Sequence, residues 1–285
     1  MEGADRLFSF VQFEFPWALG PDDGRYVVRP AGTGESPSHI LVLRTLGARE
    51  RRRLRRGKPR TAEPEPAPAS VATTRATVIT VGPPSGSEEA LREWFGAESH
   101  GETVDAALRV LNGALRHHRA AAADPGIHEV TAGNALVLRV GYGRGEQVAE
   151  GRWAEAVEVP ATPAGRQRRT AALRPQERLA ALLGGREDPL ACEELVLRAR
   201  TDLDAGRSRE AALQLRVALE AALAELEGRP DLAERIGELR EQRGAVGDAA
   251  NAALRGPLSP AALEHAEHAV ERLEALLRAR TAARA

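Results

Sequence analysis

The chain has 285 residues, 42% of them apolar, but 53 are alanine, so large apolar side chains are in short supply. Forty basic against 41 acidic residues leave a net charge of −1, which excludes a global field drawing the whole molecule onto nucleic acid or an anionic membrane. A single cysteine, Cys192, excludes intrachain disulfides and CxxC metal sites, and no run approaches the ~18 apolar residues of a spanning helix.

All ten aromatic residues fall between Phe8 and Trp153, which divides the chain into two differently built halves near residue 160. The cations are 39 arginines and one lysine, Lys58, a bias of the kind GC-rich bacterial coding produces, so arginine number alone carries little functional weight. The amino terminus interleaves Ser9, Gln12 and Glu14 among aromatics, unlike the basic and then unbroken apolar segments of a secretory leader. Together with the lone cysteine, this predicts a soluble cytoplasmic protein without a membrane span.

Val11, Phe13, Phe15 and Trp17 alternate with Gln12 and Glu14, the period of a half-buried strand, while Phe8 and Phe10 break the phase and suggest a bulge or strand end. Beyond the turn at Gly20, Pro21, Asp22, Asp23 and Gly24, the Tyr26, Val27, Val28 run predicts a returning strand. A run apolar on both faces over His39–Leu46 predicts a central strand, and residues 77–81 a fourth. Ser87 is placed to cap a short helix with Leu91, Trp94 and Phe95. Thr103 opens a longer one striped by Val104, Leu108, Leu111 and Leu115. Leu136, Leu138, Val140 and Tyr142 then alternate as a strand, and residues 153–159 predict the last one. Residues 1–160 therefore predict an α+β domain with a mixed or antiparallel sheet and two helices.

Between the third and fourth strands, residues 48–74 predict a mobile basic, proline-rich loop. Arg49, Arg51, Arg52, Arg53, Arg55, Arg56, Lys58 and Arg60 stand there against one acid, Glu50. Such a run can clamp polyanion phosphates, so Arg51, Arg52, Arg53, Arg55, Arg56 and Lys58 are the candidate polyanion-binding residues, for weak nucleic-acid contact. No aromatic interleaves them to stack bases.

Residues 161–174 read as a linker and 175–285 as an all-α bundle, punctuated by glycines at 184–185, 206, 228, 244 and 256. Ser208 is placed to cap a helix with Leu215, Leu219, Ala222 and Leu226; Leu232, Ile236 and Leu239 stripe the next; Ser259 followed by Pro260 opens the last. The order of the run 215–223, the short helix about Leu232 to Leu239, the run 247–253 and a serine-capped last helix resembles the HEPN class of four-helix domains, over residues 209–280. The ribonucleases of that family use an arginine followed at four to six residues by a histidine. No arginine of this chain stands so before any of its seven histidines, and Leu254 follows Asn251, Ala252 and Ala253 where the family's histidine would fall. The resemblance thus implies a non-catalytic member used for protein binding or dimerisation. Residues 203–212, leading to Ala218, Leu219 and Glu220, also resemble a single tetratricopeptide helix pair, and no repeat at a period of about 34 follows it.

Other constellations have structural explanations. The Gly141, Gly143, Gly145 run follows a strand but lacks the succeeding helix a phosphate loop needs, so a hairpin turn accounts for it. His265 and His268 beside Glu264, Glu267 and Glu271 form a solvated face, because no second helix supplies a matching ligand pair. His117 and His118 end a helix where cations favour the dipole, and Cys192 reads as a small buried residue. No catalytic residue, metal ligand or cofactor is assigned. The sequence predicts a non-enzymatic interaction or adaptor protein that meets a protein partner, or itself, through the C-terminal helices. The enzymatic alternative, a nuclease or nucleotidyl-processing protein, would hold its site in the N-terminal domain.

Overall fold

A computed structural model describes residues 6–30, 36–47, 73–97, 100–160 and 175–282. The chain divides into two compact units, 1–163 and 164–285. The basic run 49–60 and the linker 161–174 lie outside the described residues.

Among the described residues, the first unit is a six-stranded antiparallel sheet with two α-helices. Strands β1 (Leu7–Phe15), β2 (Gly24–Val28), β3 (His39–Leu46), β4 (Thr73–Thr80), β5 (Val137–Arg144) and β6 (Glu155–Glu158) lie in the order β2-β3-β4-β1-β5-β6. Helices α1 (Glu88–Ala97) and α2 (His100–Ala122) enter between β4 and β5. The odd residues Val11, Phe13 and Phe15 of β1 pack with Leu41, Leu43, Val78, Leu138 and Val140 beneath Val104, Leu111 and Leu115 of α2. Leu91 of α1 sits on Leu7 and Tyr142 at the same face.

Phe8 and Phe10 mark no bulge. β1 runs unbroken from Leu7, and the two rings fall on its opposite face, where Val148, Ala149 and Trp153 cover them. A central strand buried on both sides has no polar phase to show, which is why alternation fails there. Tyr26 to Val28 form the strand their composition predicts; it belongs to β2, which pairs with β3 in the register Tyr26 to Leu41 and lies at the sheet's edge.

The glycines of β5 are set by close approach and lie within the strand, not in a hairpin turn. A Cβ on Gly141 would lie 2.4 Å from the Glu155 carbonyl oxygen, and one on Gly143 would lie 2.7 Å from Val148 Cγ1 and 2.9 Å from the Trp153 Cα. A short 3-10 stretch, Gly145–Glu150, follows instead of an α-helix.

The second unit is helical: α3 (Pro175–Leu183), α4 (Ala191–Asp204), α5 (Ser208–Glu225), α6 (Ala233–Arg255) and α7 (Pro260–Ala282). Each of α4 to α6 packs on its successor, and α7 returns to α4 and α5. Short connections between consecutive helices enforce antiparallel neighbours. Val196, Leu215, Leu219, Ile236, Val270 and Leu273 fill the centre, and buried Ala199, Ala218, Ala222, Ala266 and Ala269 let the helices approach closely. Ser87 and Ser259 cap as their spacing predicts, accepting from the Ala90 and Ala262 amides. Ser208 does not; it lies inside the first turn of α5, with Arg207 at the cap position. The longer N-terminal helix begins at His100, before Thr103. Nor does Gly244 end a helix. α6 runs through it because tertiary burial of Ile236, Leu239, Val246 and Ala250 outweighs the ~1 kcal/mol propensity cost of one glycine.

Charged contacts tie the last helix down. Arg200 on α4 donates to both oxygens of Glu274 on α7, at 2.8 and 3.1 Å, and that hydrogen-bonded pairing raises its already high pKa. Arg280 is 3% exposed and donates through Nη1 to Glu193 Oε1 at 2.6 Å; Arg178 reaches the same carboxylate from α3. The Glu225 carboxylate accepts from the Ala191 and Cys192 amides at 2.9 and 3.0 Å, acting as an N-terminal cap for α4 supplied by another helix. Burial alone would raise the Glu225 carboxyl. The Cys192 and Ala191 donors, with Arg280 nearby, outweigh it and hold the group below its ordinary value.

Candidate functional site

Helix α2 covers the middle of its sheet face, over β4, β1 and β5, and leaves the β2–β3 end open. The space so left is a cleft of about 510 Å³, within the range of small-ligand sites. Its floor is Leu41 and Leu43 of β3 with Val28 of β2, and Tyr26 forms a wall whose hydroxyl donates to the Asp22 carbonyl at 2.7 Å. The α2 wall presents Val110, Gly113 and Ala114. Gly113 has open space where a Cβ would stand, so the helix contributes little bulk there and the cleft keeps its depth.

The rim carries two arginines and two histidines. Arg29, just past β2, and Arg109, His117 and His118 on α2 line the cleft, and among the described residues no carboxylate joins them. Arg109, Gly113 and His117 recur at four-residue steps and therefore share one side of the helix. The two histidines lie one turn before the end of α2, at Ala122, so they face the cleft and do not close the helix as their sequence position suggested. An apolar floor below arginine side chains suits a ligand with an apolar body and an anionic group, because each part replaces its lost hydration with a matching surface.

The opposite sheet face holds a second polar cluster. Gln12, 1% exposed, donates to Thr77 Oγ1 at 3.0 Å and to the Val148 carbonyl at 3.3 Å, pinning the 3-10 stretch to the sheet. Arg75 donates twice to Glu14 Oε1, at 3.1 and 2.8 Å. Arg139 reaches the same oxygen at 3.3 Å and Glu158 at 2.9 Å, with its guanidinium 5.8 Å from the Trp153 ring centre. These groups satisfy one another, the arrangement expected of a network that fixes strand order.

The sequence-predicted polyanion residues Arg51, Arg52, Arg53, Arg55, Arg56 and Lys58 lie outside the described residues. His265 and His268 are exposed on α7, and among the described residues no group of three histidine, cysteine, aspartate or glutamate side chains is placed to hold a metal. Cys192 is fully buried; burial, with the Glu225 carboxylate beside it, pushes its thiol up to about 12. No helix among the described residues is long and apolar enough to cross a membrane.

Sequence reasoning did not find the cleft. Its one legible trace is the stretch 109–121, where small residues at Gly113, Ala114 and Ala121 adjoin Arg109, His117 and His118 beside the apolar stripe. Arg29 could join them only through the pairing of β2 with β3. Comparison of the chain with known protein families, curated proteins and solved structures gave no match.

Proposed function

We propose that the chain is a non-enzymatic interaction protein of the cytoplasm. The N-terminal unit receives an anionic, partly apolar partner in the α2/β2–β3 cleft, and the C-terminal unit, HEPN-like in its helix order, is a protein-binding or dimerisation module. The observation that carries this is the pair of arginines, Arg29 and Arg109, with His117 and His118 beside them, over an apolar floor in a lining that holds no carboxylate among the described residues. Support for the second half comes from the surface of the helices. Leu213 and Val217, four residues apart on α5, are exposed together, and Leu254 is 67% exposed where the family's ribonucleases have histidine.

An anionic naphthalene sulfonate dye combines the two chemistries and tests the cleft. Saturable fluorescence enhancement by the folded full chain is expected, weakened in Arg109→Ala and lost in Gly113→Leu, whose side chain would project into the open space. Replacing a helical glycine by leucine also favours the helix by up to about 1 kcal/mol, so the variant remains folded. Undiminished dye binding by a Gly113→Leu protein that melts at or above the native temperature would contradict the assignment.

A further inference from the structure

β2 borders the cleft and is an edge strand. Among the described residues its only sheet partner is β3, so alternate residues of Gly24–Val28 turn their backbone N–H and C=O groups outward. Proteins usually blunt such edges. The opposite edge, β6, does so with four residues and two acids, Glu155 and Glu158. β2 is less guarded, with one charge, Arg25, in five residues, and with Tyr26 and Val27 standing 37% and 38% exposed.

A strand laid along that edge would alternate its side chains, sending every second one over Tyr26 and Val28 toward the apolar floor. Carboxylates interspersed among the cleft-facing positions of the same peptide would meet Arg29, Arg109, His117 and His118, beside which the cleft lining has no acid among the described residues. We infer that β2 accepts an extended acidic peptide by strand addition, with alternate apolar side chains entering the α2 cleft. This rests on the cleft being a binding site, as proposed above. Backbone pairing supplies affinity that is indifferent to side chains, the cleft selects apolar residues at alternate positions, and the rim selects negative charge.

The test uses the full chain and a fluorescein-labelled ten-residue peptide in which leucine and glutamate take turns at every second position and threonine fills the rest, so that one face carries both, read by anisotropy. Binding is expected, with a loss of about tenfold or more in Arg29→Ala and in Arg109→Ala. Two N-methylated versions, one on each alternate set of amides, separate strand addition from simple charge attraction. One of the two should lose about tenfold or more while the other binds nearly as the parent does, because only one set faces β2. Equal binding by the parent and both N-methylated peptides would overturn strand addition; continued displacement of the sulfonate dye would then leave the cleft assignment standing. Absence of both peptide and dye binding would overturn both. Displacement of the peptide by single-stranded DNA at equal charge would show a general polyanion surface and also overturn the inference.

Discussion

Replacing Arg280 by alanine separates the energetics of the two units. The Arg280 guanidinium is 3% exposed and the Glu193 side chain 15%, so truncation leaves a carboxylate largely out of water. Removing one partner of a buried pair costs about 3–5 kcal/mol, and the lower end applies here because Arg178 still reaches Glu193. With a urea slope of about 2 kcal/mol/M, a loss of about 3 kcal/mol moves the midpoint by about 1.5 M. All ten aromatic residues lie between Phe8 and Trp153, so tryptophan fluorescence follows the sheet unit, whereas far-ultraviolet circular dichroism is dominated by helices. The dichroism midpoint should fall and the fluorescence midpoint stay. Arg280→Met combined with Glu193→Gln should recover part of the loss, since no uncompensated charge remains. A dichroism shift below about 0.5 M would refute the reasoning about buried charge; an equal shift in fluorescence would refute independent folding.

Other consequences follow from single contacts. Gly143→Ala should lower the fluorescence-detected stability by about 1–3 kcal/mol, because its Cβ would overlap Val148 and the Trp153 backbone; an unchanged urea midpoint would contradict this. Cys192, with its thiol at about 12, should resist a disulfide reagent in the folded chain and react on unfolding, in an absorbance assay. The depressed Glu225 carboxyl contributes stability above its unfolded value of about 4.3, and that contribution is lost as pH falls through the lower folded value. Glu225→Gln should therefore destabilise the helical unit near pH 7, with its deficit against the native chain shrinking toward about pH 3 in thermal melts; a constant deficit would contradict the assignment.

The elements that were legible in the sequence are those with one apolar and one polar face. The stripe of α2 faces the sheet, and in β1 the side opposite Val11, Phe13 and Phe15 carries the hydrogen-bonded Gln12 and Glu14, so both periods survive in the sequence. Where both faces are apolar, as at Phe8 and Phe10, the period vanishes. Gly244 misled for a related reason: a local breaker gives way when the helix around it is held by burial on both sides of it, here of Ile236 and Leu239 before and Val246 and Ala250 after. The cleft was hidden because it depends on which strands pair. Leu41 and Leu43 are core residues beneath α2, and only the place of β3 one strand from the edge shows that they also floor a cleft. Arg29 and Arg109 are 80 residues apart in sequence, and only the fold brings them to one rim.

Hydrogen exchange of the full chain, with and without the saturating glutamate–leucine peptide, tests the binding of an acidic strand in the cleft most directly. Outward-facing amides of β2 should gain protection, together with the α2 turns carrying Arg109 to His118, because a paired strand satisfies the former and covers the latter. A bound peptide that leaves β2 exchanging as in the free protein, or protects only the C-terminal helices, would contradict it.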